Sequence, residues 1–121
     1  VDFISIDVAF ISLDKVLPVA TTLLKNTGSL VALIKPQFEA GKEKVGKGGI
    51  VRERAVHEEV LSRILQVAYD CKLYLHGFTF SPIKGTEGNI EFLGYFTKSE
   101  EGALSITDEL IKAVVDEAHM L

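Results

Sequence analysis

Val1-Asp2-Phe3-Ile4-Ser5-Ile6-Asp7-Val8, then Ser12-Leu13-Asp14-Lys15-Val16-Leu17-Pro18-Val19-Ala20-Thr21-Thr22-Leu23-Leu24, then Ser29-Leu30-Val31-Ala32-Leu33-Ile34 decide the fold. The first run is apolar at Val1, Phe3, Ile4, Ile6 and Val8, the pattern of a strand buried on both faces. Ser12 offers an N-cap, and Leu13, Val16, Leu17, Ala20, Leu23 and Leu24 follow at helical spacing until Asn26 and Gly28 stop the helix. Pro18 falls in its second turn and predicts a bend there. Ser29 to Ile34 reads as a second short strand, so strand, helix and strand form one parallel crossover unit.

Downstream, residues 35–54 lose periodicity and read as a long loop, with Gly41, Gly46, Gly48 and Gly49 set among lysines. Lys35, Lys42, Lys44, Lys47, Arg52 and Arg54 outnumber Glu39, Glu43 and Glu53, so this segment is basic inside a chain of net charge −4. Val56, Val60, Leu61, Ile64, Leu65 and Ala68 then mark an amphipathic helix, with Glu58 and Glu59 expected near its N-terminal end. Leu73 to Phe80 and Asn89 to Phe96 are two further strands, and the short connection through Pro82 and Gly85 predicts antiparallel pairing. A last helix spans Ser105 to Met120, with Ser105 and Asp108 as a capping box and Leu110, Ile111, Val114, Val115 and Ala118 as its apolar stripe.

Composition narrows the function classes. At 121 residues, 47% hydrophobic and 25% charged, the chain is long enough for one core and lies outside the disordered classes. Its longest apolar run, Leu30 to Ile34, is far shorter than the ~20 residues of a membrane span. The single Cys71 excludes an internal disulfide and points to a reducing, cytoplasmic setting. The sequence opens on Val1 and enters a strand at once, which predicts that it is part of a longer chain.

Ligands of open α/β sheets bind beyond the carboxyl ends of the parallel strands. Asp7 lies at that end of the first strand and Lys35 directly after the second. An antiparallel last strand would bring Gly88, Asn89 and Glu91 to the same edge, so that Asp7, Lys35 and Glu91 converge. A lysine between carboxylates suits proton handling or work on a substrate oxygen, and an ordinary rim salt bridge fits the same spacing. Gly41 to Lys47 has the spacing of half a phosphate loop, but Gly48 stands where Ser or Thr is needed. A basic loop contacting RNA phosphates through Lys42, Lys44, Lys47, Arg52 and Arg54 fits better. His57, His76 and His119 lack metal-ligand spacing, so no metal is expected, and Cys71 reads as a packing residue.

Four stretches carry a family resemblance: Ile6 to Leu13 around Asp7, Ala32-Leu33-Ile34-Lys35-Pro36-Gln37-Phe38-Glu39, Val45 to Arg52, and Glu87-Gly88-Asn89-Ile90-Glu91-Phe92-Leu93. In this order they resemble the TlyA-type haemolysins, which are FtsJ-like RNA methyltransferases. The resemblance runs from Val1 to about Phe96. It implies an α/β fold, the C-terminal half of a Rossmann-like S-adenosylmethionine-dependent methyltransferase domain in residues 1–98. Residues 99–121 would then be an extension carrying the last helix. It further implies ribose 2′-O-methylation of ribosomal RNA by a Lys, Asp, Lys, Glu tetrad, of which Asp7, Lys35 and Glu91 match the last three members. Lys35 would be the base or the activator of the attacking hydroxyl in an in-line displacement at the sulfonium methyl. Asp7 would meet the cofactor, and Phe10, next to the site, could stack on the cofactor adenine or on an RNA base.

The first tetrad lysine, the glycine-rich cofactor loop and the N-terminal RNA-binding domain of that family have no counterpart here. S-adenosylmethionine would therefore be bound largely by a missing N-terminal half, the chain alone would be inactive, and its exposed first strand would invite self-association. Two other readings are a haemolysin acting on membranes, opposed by the absence of a spanning run or a basic amphipathic helix, and a non-catalytic RNA-binding remnant.

Overall fold

A computed structural model describes residues 1–8, 11–40, 53–82 and 88–120. Among these residues four strands and four helices follow in the order β1 (Phe3–Ile6), α1 (Leu13–Leu23), β2 (Ser29–Ile34), α2 (Pro36–Glu39), α3 (Arg54–Asp70), β3 (Tyr74–Phe80), β4 (Phe92–Thr97) and α4 (Asp108–His119). The sheet order is β1-β2-β4-β3. β1 and β2 are parallel, with Phe3 opposite Ser29 and Ile6 opposite Ala32. β4 is inserted antiparallel between β2 and β3, with Ile34 opposite Phe92 on one side and Phe80 opposite Phe92 on the other. The mixed α/β sheet expected from the sequence is therefore present.

One face of the sheet forms the core. Leu30, Ala32 and Ile34 of β2 and Phe92 and Phe96 of β4 are buried there with Leu13, Leu17 and Ala20 of α1. Val60, Leu61, Ile64 and Leu65 of α3 and Ile111, Val114, Val115 and Ala118 of α4 complete it. The apolar stripe of α4 thus packs with the rest of the chain in a single cluster. Gly94 lies between the two phenylalanines because the Phe96 ring covers it: a Cβ there would stand 2.7 Å from that ring.

β3 keeps its apolar side chains on this face through a bulge. Leu75 opposes Phe96 and Gly77 opposes Tyr95, so His76 is an extra residue with no partner on β4. The insertion shifts the alternation by one, and Phe78 and Phe80 come to the same face as Leu75. His76 is turned to the rim, where its Nε2 lies 2.7 Å from the Ser99 carbonyl.

Several local expectations are corrected. The first strand is not buried on both faces: it is an edge strand in this chain, only four residues long, with Phe3 56% exposed. The segment after Lys35 is not all loop, because Pro36, which needs no N–H partner and has a preset φ, starts the helical turn α2. α3 begins at Arg54, which leaves Glu58 and Glu59 in its second turn and not at its positive end. α4 is capped by Thr107, whose side chain accepts from the Leu110 N–H, and not by a Ser105 and Asp108 box. α1 ends at Leu23, before Asn26 and Gly28, and contains Pro18.

Candidate functional site

The carboxyl ends of β1 and β2 and the start of β4 share one edge of the sheet. Asp7 follows the last residue of β1, Lys35 follows the last residue of β2, and Glu91 precedes the first residue of β4. Lys35 and Glu91 each lie one residue beyond the Ile34–Phe92 pair, so they leave the ladder at the same level. Both extend the row opposite to the core, because side chains alternate along a strand and Ile34 and Phe92 point inward.

Lys35 Nζ lies 2.5 Å from Asp7 Oδ1. The lysine is the enclosed member, its side chain 17% exposed against 64% for Asp7. A cation is thereby fixed at the strand ends by a more exposed carboxylate. Glu91 is 7% exposed, and its Oε2 accepts a hydrogen bond from Gln37 Nε2 at 2.9 Å. Its backbone carbonyl accepts from the Ser81 N–H at 2.7 Å, which ties the end of β3 to the same edge. The structure thus joins Lys35 to Asp7 directly, while Glu91 stands beside them with Gln37 as its side-chain partner.

Two residues of this edge are not singled out by the sequence reading. Gln37 is one; Glu39 is the other. The Glu39 carboxylate, 3% exposed, accepts from Ser12 Oγ at 2.5 Å and from the Leu13 backbone N–H at 2.9 Å. Arg63 Nη2 of α3 donates to the Glu39 carbonyl at 2.6 Å and reaches its carboxylate at 3.4 Å. A carboxylate at the first turn of α1 meets unpaired N–H groups and the positive end of the helix dipole. Glu39 therefore fastens α2, which follows Lys35, to the start of α1, which follows Asp7. Its signal in the sequence is the spacing from Pro36: an acidic residue at the fourth position of a proline-initiated turn.

The remaining candidates divide. Phe10, Lys42, Lys44, Lys47 and Arg52 lie outside the described residues. Arg54 opens α3, and its guanidinium is bound to Asp116 of α4 at 2.7 Å. His57, fully buried, has its Nδ1 2.8 Å from His119 Nε2 and its ring edge-on to Phe92. Among the described residues, no group of three or more metal-ligating side chains is formed, and no helix is long and apolar enough to cross a membrane. Burial and the neighbouring Asp70 raise the Cys71 thiol above its ordinary pKa, the opposite of what an activated nucleophile needs. A cavity of about 380 Å³ between Tyr69, Tyr74, Leu75 and Leu104 opens at the far edge of the sheet, where Tyr74 pairs with Thr97, and none of the candidates lines it.

A family model described as FtsJ-like methyltransferase matches residues 1–98, the segment that holds the whole sheet and all three charged groups. The chain belongs to the FtsJ-like methyltransferase family. It is 48% identical to YqxC of Bacillus subtilis, provisionally named an rRNA methyltransferase, over 98% of this chain and 43% of that protein. It is 33% identical to the 16S/23S rRNA (cytidine-2′-O)-methyltransferase TlyA of Mycobacterium tuberculosis, over 87% of this chain and 39% of that protein. A solved structure from Streptococcus thermophilus, provisionally titled a hemolysin, superposes with a TM-score of 0.89 at 46% identity, covering 98% of this chain and 42% of that one. The chain thus spans about two-fifths of the length of these relatives.

Proposed function

We propose that this chain is the part of a ribosomal RNA methyltransferase that supplies the Asp7, Lys35 and Glu91 edge for ribose 2′-O-methylation. The observation that carries the reading is the enclosed Lys35 ammonium held by Asp7 with the buried Glu91 carboxylate alongside. A hydroxyl that must shed its proton to attack is served by a cation fixed in this way, because the preorganised charge stabilises the deprotonated oxygen without reorganisation. The names of the TlyA and YqxC relatives agree with it.

S-adenosylmethionine, when bound, supplies a methyl group on a sulfonium. The residues present fit a cationic group of that kind on one side: Asp7 presents a largely exposed carboxylate at the carboxyl end of β1. Asp7 is thus the described residue of this chain that would face the cofactor. Lys35 Nζ would donate to the incoming 2′-oxygen, the exposed Asp7 carboxylate would accept the hydroxyl proton, and the pairing of the two keeps the ammonium in one place, so orientation contributes as well as charge. Glu91, level with Lys35 across the β2–β4 pair, adds a buried carboxylate to the same edge.

The fragment alone is inactive in this reading, since the rest of the cofactor site lies in the longer chain. Residues 1–98 are the methyltransferase part and 99–121 an extension, and the basic residues Lys42, Lys44, Lys47, Arg52 and Arg54 hold RNA phosphates in the cytoplasm. The open edge of β1, with Phe3 exposed, supports self-association of the isolated chain.

The test is Lys35→Ala in the full-length protein, assayed by transfer of labelled methyl groups to ribosomal RNA and, separately, by RNA binding. Transfer falls by roughly 10²-fold or more, as for loss of a preorganised donor to a reacting oxygen, while RNA affinity stays within about twofold. Retention of transfer within about threefold of wild type overturns the assignment of Lys35.

A further inference from the structure

Three pieces of chain wall the cavity at the far edge of the sheet: Gln66 and Tyr69 of α3, Tyr74 and Leu75 at the start of β3, and the segment from Glu100 to Ile106. That segment lies beyond the family match, which ends at residue 98, and it is fastened to the sheet where the Leu104 N–H donates to the Leu75 carbonyl at 2.7 Å. Its volume of about 380 Å³ falls at the small end of the ~300–1,000 Å³ range of ligand sites. Tyr74 pairs with Thr97, which pairs with Ser29, so the cavity sits at the opposite end of the strands from Lys35 and Glu91.

The chemistry of the lining selects for positive charge. The Tyr69 and Tyr74 rings stand at 89° with centroids 5.5 Å apart and form an aromatic corner. Among the described residues that line the cavity, Glu100 alone is charged, and Asp70 and Glu101 flank the lining in sequence. The Leu104 amide is in use on Leu75, and Gln66 turns its Nε2 to Asp70 Oδ1 at 3.0 Å, which leaves the Gln66 Oε1 as an acceptor. A guanidinium matches this set: it carries five donors, no acceptor and a planar face that stacks on aromatic rings. A phosphate would meet a carboxylate and no cation. We propose that the cavity is a docking site for an arginine side chain of a basic polypeptide partner. The guanidinium lies against the tyrosine corner and pairs with Glu100, and the aliphatic stem runs along Leu104, which is 41% exposed. The inference needs none of the groups at the Asp7, Lys35 and Glu91 edge and so stands apart from the methyltransferase reading.

The experiment is calorimetric titration of the full-length protein with a short peptide of alternating arginine and glycine, and with the same peptide carrying citrulline, the neutral isostere of arginine. Wild type binds the arginine peptide roughly threefold to tenfold more tightly than the citrulline peptide, the combined size of a cation–π contact and an exposed ion pair. Glu100→Gln weakens arginine-peptide binding roughly twofold to fivefold. Tyr69→Leu does so by a similar factor, roughly twofold to fivefold, and the double variant loses most of the preference over citrulline. Glu101→Gln, the same change of charge one residue outside the lining, leaves binding unchanged. Both altered lining residues are exposed, so the variants are expected to melt with wild type; if Tyr69→Leu does not, the comparison of Glu100→Gln with Glu101→Gln decides.

No binding of either peptide, or equal affinity for both, overturns the proposal. Equal losses in Glu100→Gln and Glu101→Gln overturn it too, because they mark attraction to an acidic surface and not a site. Sedimentation showing a dimer that Tyr69→Leu dissociates assigns the cavity to a second copy of the chain, and a fall in RNA affinity in Tyr69→Leu with no change in peptide binding assigns it to a nucleobase; either result refutes the arginine assignment.

Discussion

Replacing Glu39 by alanine tests whether the edge that carries Asp7 and Lys35 is held by one buried carboxylate. The substitution removes the acceptor of the Ser12 hydroxyl at 2.5 Å and of the Leu13 N–H at 2.9 Å, in a side chain only 3% exposed. Hydrogen bonds to a charged group contribute about 1.5–3 kcal/mol each, and the N–H that is left is a buried helix-terminal donor. Ser12 is half-buried, so its hydroxyl can turn to water, while its Oγ still accepts from the Asp14 N–H at 3.4 Å. Arg63 contributes little to the difference because it is 39% exposed and keeps its 2.6 Å bond to the Glu39 carbonyl. The net cost of Glu39→Ala is therefore about 3 kcal/mol.

Glu39→Gln keeps the shape and one acceptor but not the charge, and costs about half as much. Urea unfolding followed by circular dichroism reads the difference as a midpoint lower by roughly 1–2 M for the alanine variant. Arg63→Ala should fall well short of that. A Glu39→Ala midpoint within about 0.3 M of wild type, or equal costs for alanine and glutamine, would refute the argument that charge-assisted capping holds this edge.

Gly94→Ala brings a Cβ to 2.7 Å from the buried Phe96 ring, and the forced repacking costs about 1–3 kcal/mol in the same unfolding assay. Thr107→Ala removes the cap that accepts from the Leu110 N–H at 3.1 Å and costs about 1 kcal/mol, read most directly as faster amide exchange in the first turn of α4. Cys71, its pKa raised by burial and by Asp70, reacts with iodoacetamide at pH 8 more slowly than a free cysteine. Because the folded state binds that proton more tightly, the stability it confers is intact below the unfolded thiol pKa. It is lost as pH rises through the folded value, an effect that Cys71→Ser abolishes. If the basic segment holds RNA phosphates, replacing Lys42, Lys44 and Lys47 with alanine in the full-length protein lowers the slope of log affinity against log salt. The slope falls by about 0.7–0.9 for each phosphate no longer neutralised, and an unchanged slope counts against that role.

The strand, helix and strand order was legible because each element carries a strong local signal: Leu13, Leu17 and Ala20 at helical spacing, and an uninterrupted apolar β2. The antiparallel β3 and β4 pair was legible from the short connection between them. What escaped the sequence depends on tertiary contacts. The exposure of Phe3 follows from which strand ends the sheet, which no local pattern states. The bulge at His76 is invisible because the strand reads as apolar on either side of it, and only the partner β4 defines the register. The cap at Thr107 displaced the one expected at Ser105, although both residues can act as caps. The helix starts where its stripe meets the sheet, and Leu104 is held to β3 by its N–H bond to the Leu75 carbonyl.

The candidate site divides in the same way. Asp7, Lys35 and Glu91 were found because topology alone sends strand ends to one edge, and charged residues at strand ends are conspicuous. Gln37 and Glu39 were passed over because their roles depend on where α2 points. Pro36 turns the chain immediately after Lys35, so two residues that read as loop face opposite tasks: Gln37 reaches Glu91 beside β4 while Glu39 reaches the N-terminus of α1. One short helix thereby couples the three segments that carry the charged groups. If the edge serves methyl transfer as proposed, a change at Glu39 should reach it through the placement of Lys35 and Asp7, lowering transfer in the full-length protein even at temperatures where the variant stays folded. Gln37→Ala takes the donor from the buried Glu91 carboxylate at the same edge and is expected to lower both stability and transfer. If the Glu39 variant lost activity only in proportion to its loss of folded protein, α2 would be a structural prop and not part of the site.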